Sequence, residues 1–374
     1  MVKPQQEAPP TQRKLRGGLH RIRLGFVPLT DCAPLIVAQE RGYFARYDLK
    51  VDLSRELGWA TIRDKIIYGD LDAAHAVAGM PIAATFGLGS IPCPCVTGLV
   101  LNLHGNAITL STELHDRGVR DVQSLKTIID QDRGTRMYTF GVVYPFSSHS
   151  FLLRQWLRSG KIEPDRDVRI VVVPPPQMFA NLKAGNLDGY CVGEPWNSLA
   201  INSGGGWCVT TSSELSPLHP EKVLMVRQSF ADQHAGEHVR LVAALIEACE
   251  FCDKPENREE IASLLARPAY LNLPVKCVLQ SLLPSFDYGF GRVLPCEDFH
   301  LFHRQSTNEP SADKAAWTIN HFMHSGVLRD PSVIVRGTAQ KVFRMDIYDE
   351  GRRLFEECRR PSSLARRSAA TAAV

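Results

Sequence analysis

Four side chains in this 374-residue chain offer what a small flat anion requires. Trp59 in "GWATIRD" brings an indole N–H and a flat apolar face. His75 in "LDAAHAVAG" and His149 in "PFSSHSF" bring imidazole donors, and Lys222 in "HPEKVLMVR" brings a full positive charge. A planar monoanion with weak acceptor oxygens needs a cation, several in-plane donors and a wall to lie against. Trp59 and His149 fall where helices are expected to begin, and a helix N-terminus adds free N–H groups and partial positive charge. Lys222 is expected to be the one full countercharge. An ammonium buried with no partner is costly, so the anion would favour a closed state over an open one. Each residue also has a plainer reading: Trp59 as packing at a helix start, His149 as a cap residue, His75 as a satisfied core histidine, Lys222 as a solvated strand-edge lysine.

Other chemistry is poorly represented. No nucleophile sits beside a base, and no glycine loop is built to cradle phosphate. Cys93 and Cys95 in "CPC", and Cys249 with Cys252, lack a second ligand pair at zinc-like spacing. The expectation is a binding protein, not an enzyme, with no metal and no cofactor.

The surrounding pattern supplies a scaffold. "RIRLGFVP", "KVDLSREL", "LDAAHAVA" and "NAITLST" read as strands, and "APLIVAQERGYFARY", "ATIRDKIIYG" and "GMPIAATFGLG" as helices. Thr30 and Asp31 are placed to cap the first of these helices. Alternation of this kind predicts an α/β fold with mainly parallel sheets. "YTFGVVYP", "DVRIVVVPPP" and "DGYCVGEP" repeat it with their own helices, and "EKVLMVR" then leads back to a strand and a run of helices. The chain therefore builds one lobe, builds a second and returns. The predicted organisation is an N-terminal extension over 1–21, a first lobe over 22–115, a second over 116–222, the return over 223–350 and a basic tail over 351–374. Two crossings make a hinge, and ligands prefer the cleft between lobes. Glu194 and Trp196 in "GEPWNS" are expected to shape the hinge wall, since a carboxylate beside a bound anion would repel it.

Composition sets the outer bounds. A chain with 44% hydrophobic residues and 22% charged is long enough for two lobes. A net charge of +3, evenly spread, argues against direct nucleic-acid binding by the folded body. No window reaches the ~18 apolar residues of a membrane span. Residues 1–21 hold no apolar run of the ~7–15 residues of a secretory signal, and ten scattered cysteines fit a reducing compartment. A cytoplasmic location is the expectation.

The stretches "RLGFVPLTDCAPLIVAQERGYFARYDL", "GWATIRDKIIYGDLDAAHAVAGMP", "YPFSSHSFLLRQWLRSGKIEPDRDVRIVVVPPPQMFANLKAGNLDGYCVGEPWNS" and "HPEKVLMVR" together resemble the nitrate/nitrite-binding proteins of the NrtA class of ABC importers. More closely still, they resemble the signal-less cytoplasmic nitrate/nitrite sensors of the NasS type. The resemblance spans roughly residues 22 to 330 and rests on separated motifs in one order. It implies a two-lobed periplasmic-binding-protein fold, type II-like, closing on nitrate or nitrite in the cleft. It matches Trp59, His149 and Lys222 to anion contacts, and puts His75 where the importers carry Gln. For the sensor it implies an RNA-binding antiterminator with an ANTAR domain as partner, released when the anion binds. The alternative is the substrate-binding component of an importer, with an ABC permease as partner. The same superfamily holds enzymes that make the thiamin pyrimidine, marked by a cysteine-rich iron-binding stretch that has no equivalent here.

Overall fold

The computed structural model describes residues 20–325 and 337–360. In chain order its strands are β1 (Arg21–Phe26), β2 (Lys50–Arg55), β3 (Ala73–Val77), β4 (Cys95–His104), β5 (Asn106–Ser111), β6 (Thr139–Val142), β7 (Arg169–Val172), β8 (Gly189–Gly193), β9 (Gly206–Thr211) and β10 (Pro220–Arg227), followed by the short β11 (Ser285–Asp287), β12 (Val293–Pro295) and β13 (His300–Leu301). β3, β4, β5 and β8 are buried at every residue. Strands covered on both faces carry continuous apolar runs in place of alternation, which is how "AAHAV" and "GYCVG" read.

Among the described residues these strands form a six-stranded sheet in the order β13-β4-β10-β3-β1-β2, a five-stranded sheet in the order β7-β6-β8-β5-β9, and the hairpin β11–β12. The two large sheets are the two lobes of an α/β periplasmic-binding-protein fold. The sheets are mixed, not mainly parallel. β1 pairs in parallel with β2 and β3, and β6 with β7 and β8. The strands that cross between lobes or return from them, β4, β5 and β10, pair antiparallel. A strand entering its sheet from the other lobe arrives without the helical crossover that a parallel pair needs.

The first crossing is a single residue, Gly105, between β4 and β5; the return runs from β9 through the helix Ser212–Leu215 to β10. The second sheet therefore starts at Asn106, ahead of the boundary expected near 115, and the first sheet resumes at Pro220, before 222. The first change is marked only by the single Gly105 inside a long pair of strands, whereas the return passes through the Ser- and Pro-containing stretch 212–220. The helix Met345–Arg359 likewise enters the segment expected to be a tail: Tyr348, Gly351 and Phe355 face inward while Arg352 and Arg353 face out. The expected N-terminal extension, apart from its last two residues, and the end of the expected tail from residue 361 lie outside the described residues.

One imidazole ties the two crossings together. His104 Nδ1–H donates to Asp298 O at 2.8 Å, which leaves Nε2 to accept the Leu218 N–H at 2.6 Å. Burial, with His219 nearby, pushes the His104 imidazole down to about 3, so it stays neutral in this role. Each lobe has its own apolar core, and a third cluster bridges them, with Leu29, Trp59 and Met80 of the first lobe meeting Tyr144, Met178, Tyr190 and Trp196 of the second. Trp196 Nε1 donates across the gap to Pro28 O at 3.1 Å, and Thr30 N to Glu194 O at 2.7 Å.

Gly105 has φ +92°, and a Cβ there would stand 2.2 Å from His300 Cε1. Gly105→Ala should therefore lower unfolding free energy by about 1–3 kcal/mol, read as a lower urea midpoint at an unchanged slope. An unchanged midpoint would show that the crossing is not held in this conformation.

Candidate functional site

The side chains singled out by chemistry converge where the lobes meet. Lys222 lies on β10 opposite Val77 of β3 and Asn102 of β4, so neighbouring strands screen it from water on both sides. His75 lies on β3 opposite Leu224. Trp59 opens the helix Trp59–Tyr68, whose N-cap is Gly58 with no side chain to bond the first N–H groups. His149 lies in the first turn of the helix Ser148–Ser159. The cap there is Ser147, whose Oγ accepts from Ser150 N at 3.3 Å, so His149 is free of that duty. His75, His149 and Lys222 have no solvent exposure and Trp59 has 1%.

Two carboxylates accompany them. Asp31 Oδ2 lies 2.6 Å from Lys222 Nζ, while Asp31 Oδ1 accepts from His75 Nε2 at 2.9 Å. Glu221 Oε1 accepts from Lys222 Nζ at 2.6 Å, and Glu221 Oε2 accepts from Asn106 Nδ2 at 2.6 Å and from the Ser148 hydroxyl. His149 Nε2 stands 3.6 Å from Glu221 Oε1, and His219 Nε2 3.4 Å from Glu221 Oε2. Asp31 and Glu221 are also without solvent exposure. Lys222 is thus not a lone ammonium waiting for its ligand, as the sequence suggested; it already faces two buried negative charges. Asp31 does not cap its helix either: the N-cap is Cys32, with no side-chain bond.

The charge states follow from burial set against partners. Burial alone would raise the Asp31 carboxyl, but Lys222 and then His75 hold it down at about 2. Burial likewise opposes ionisation of Glu221, yet Lys222 and His149 keep it well below the usual carboxylate range. Burial would strip Lys222 of its proton, and Asp31 and Glu221 more than offset this, raising it. Burial lowers both His75, with Asp31 opposing, and His149, which falls to about 4. Near neutrality, then, the Asp31–Glu221–Lys222 group holds two negative charges against one positive, beside two neutral imidazoles.

Five ring nitrogens here are buried and lack hydrogen-bond partners: Trp59 Nε1, His75 Nδ1, both nitrogens of His149 and, behind Glu221, His219 Nε2. Buried polar atoms are bonded in the great majority of cases, so several orphans around one charge group mark a place shaped for something else. The Trp59 ring supplies the flat wall, 5.4 Å from both the His75 ring and Lys222 Nζ. Glu194 stands back as part of the hinge wall: its Oε2 accepts from Ser198 N at 3.1 Å, and burial pushes its carboxyl up to about 7. The structure brings together the four residues singled out in the sequence, Trp59, His75, His149 and Lys222, and sets among them Asp31, Asn106, Ser148 and Glu221, which were not singled out as site residues. Glu221 had a signal, as the immediate neighbour of a lysine within an otherwise apolar strand.

A model of the NMT1-like family matches residues 17–266. The chain is 40% identical over 338 residues to the nitrate import ATP-binding protein NrtC of Synechocystis sp., covering 89% of this chain and 50% of that protein. It is 40% identical over 343 residues to the bicarbonate transport ATP-binding protein CmpC of the same organism, covering 90% and 51%. It is 33% identical over 340 residues to the nitrate/nitrite binding protein NrtA of Synechococcus elongatus, covering 88% and 76%. The chain thus spans about half the length of the first two relatives. The crystal structure of the periplasmic nitrate-binding protein NrtA from Synechocystis superposes with a TM-score of 0.86 at 29% identity, over 92% of each chain.

The charge group makes Lys222 a structural test as well as a binding one. Lys222→Met leaves two buried carboxylates unpaired and should cost about 3–5 kcal/mol at neutral pH. Those carboxyls would then be raised above their unfolded values, so the variant regains stability as pH falls. The native protein does the reverse: the depressed Asp31 carboxyl gives stability that is complete above about 4 and is lost as pH falls toward about 2. Urea melts of the variant at pH 7.5 and pH 5 read the slope; an equal deficit at both would refute the pairing.

Proposed function

The chain belongs to the NMT1-like family, among its NrtA-type substrate-binding proteins, and from that premise we propose that its buried cluster binds nitrate or nitrite as the lobes close. The observation that carries this reading is the set of orphaned nitrogens of Trp59, His75 and His149 around Lys222. Nitrate offers three coplanar acceptor oxygens and no donor, which matches indole and imidazole N–H groups arranged about an ammonium beside an aromatic face. The helices starting at Trp59 and Ser148 add their free N–H groups and partial positive charge. Ligand and lobe closure are then linked, the anion shifting the population by its differential affinity for the two states.

At a finer level we read the protein as a cytosolic sensor that holds an ANTAR-domain RNA-binding antiterminator and releases it on anion binding. Support comes from cysteine usage: all ten are free and seven are buried, as suits a reducing compartment. The importer reading, in which the same closed form docks on an ABC permease, draws on the NrtA and NrtC relatives. Both rest on the same trap and differ in what reads the closed state.

Nitrate or nitrite at a hundredfold excess over its dissociation constant should add about 2.7 kcal/mol, seen as a raised melting temperature, with chloride at equal ionic strength inert. No shift with either oxyanion removes the ligand reading, and a shift with bicarbonate alone reassigns it. For the sensor, the co-purified antiterminator should leave the complex when nitrate is added; a complex indifferent to nitrate returns the protein to transport.

A further inference from the structure

We propose that the site takes up its oxyanion together with a proton, and that His75 receives that proton at Nδ1. The inference rests on the oxyanion reading and adds to it the stoichiometry of a second, cationic ligand.

Charge is the first argument. Asp31, Glu221 and Lys222 have no solvent exposure and sum to one negative charge. A monoanion placed among them would raise that to two, among side chains with no solvent exposure, where isolated charge costs several kcal/mol or is removed by protonation. The helix N-termini at Trp59 and Ser148 bring roughly half a charge each, enough to offset the resident negative charge and no more. One further positive charge is needed for the ligand itself.

Hydrogen bonding says where it goes. Asp31 is ionised and can only accept, so the 2.9 Å bond to His75 requires Nε2 to carry the hydrogen. The neutral ring then presents a bare lone pair at Nδ1, the nitrogen that is buried without a partner. A lone pair repels an oxyanion, whereas a protonated Nδ1 donates to it, and the resulting imidazolium is already paired on its far side by Asp31. His149 needs no such step, since with neither nitrogen hydrogen-bonded it can choose the tautomer that faces the ligand.

The groups facing His75 are few: Asp31 from the turn Thr30–Cys32, Glu221 and Lys222 from β10, and the Trp59 ring at 5.4 Å. Beyond them stand His149, with His219 across Glu221, Glu194 behind the hinge wall, and the fully buried His300 of β13, which acts electrostatically on the same Asp31 and Lys222. Lys222 disfavours the imidazolium, Asp31 and Glu221 favour it, and burial keeps the ring neutral until the anion arrives. Glu194, His149 and His300 are the rival proton acceptors, and uptake that survives His75→Gln would point to one of them.

The test counts protons. Nitrate added to weakly buffered protein with phenol red at pH 7.5 should make the solution alkaline by about one proton per nitrate bound, and affinity by calorimetry should weaken about tenfold per pH unit between 6.5 and 8.5. Ring-nitrogen NMR should move the His75 Nδ1 resonance from the bare to the protonated range on adding nitrate. His75→Gln, which keeps a neutral donor, should bind what it still binds with no uptake, and Glu194→Gln should leave the count unchanged. Nitrate binding with no proton uptake overturns the inference and spares the oxyanion reading. Uptake that survives His75→Gln or disappears in Glu194→Gln overturns the assignment to His75. Absence of nitrate binding at every pH overturns the oxyanion reading itself, and this inference with it.

Discussion

A lysine buried between two carboxylates governs this molecule. Lys222 cannot stay charged inside a protein unless paired, and Asp31 and Glu221 cannot stay ionised there unless something positive faces them. The three are drawn from different parts of the chain: Asp31 from the first turn after β1, Glu221 and Lys222 from the strand that returns from the second lobe. Their mutual need draws the start of the first lobe toward the returning strand. It also fixes the neighbours, because His75 must donate to Asp31 and Asn106 and Ser148 must donate to Glu221. Asn106 and Ser148 belong to the second lobe, so the same group that solves a burial problem in one lobe reaches across to the other.

The hinge is built so that this reach is adjustable. β4 and β10 lie side by side in the first sheet, and the two crossings leave from their ends. His104, neutral and bonded to Leu218 and Asp298, keeps the crossings in register. Gly105 supplies the positive φ that turns β4 into β5 within one residue. A rotation of the second lobe about this point would move Asn106, Ser148 and His149 relative to Lys222 while leaving the Asp31–Lys222 pair intact. On such a rotation the contacts that stay and the contacts that change would be segregated by lobe.

Much of this was legible in the sequence, and what was missed has physical causes. The lobed α/β architecture followed from apolar strand runs and amphipathic helices, whereas Trp59, His75, His149 and Lys222 each had a plainer reading by chemistry alone and were singled out together with the family resemblance. The second sheet starts ahead of the expected 115 and the sheets are mixed, because the turn between β4 and β5 is confined to His104-Gly105-Asn106 and strand direction is not written in composition. Asp31 was read as a cap since an acid ahead of a helix usually is one; its tertiary partners outweighed the local preference. Glu221 escaped notice because periodicity gives no hint that two adjacent charges on a buried strand will both point at polar partners.

The acidic surplus of the cluster bears on what kind of anion it suits. A site of donors alone would accept any small anion and would owe its selectivity to size. Here every entering anion must meet two resident carboxylates, and two chemistries satisfy them. A ligand with its own hydrogen, such as bicarbonate, can donate to Glu221 or Asp31 directly. A ligand made only of acceptors, such as nitrate, must be matched by a proton on the protein side. The relatives named for nitrate and for bicarbonate stand at equal identity to this chain, so resemblance does not separate the two. The hydrogen inventory does: both guests add the same single charge, but an acceptor-only guest needs a donor at His75 Nδ1, whereas a donor-bearing guest can bond to that nitrogen as an acceptor. His75, with one nitrogen committed to Asp31 and the other uncommitted, is the residue on which that distinction turns.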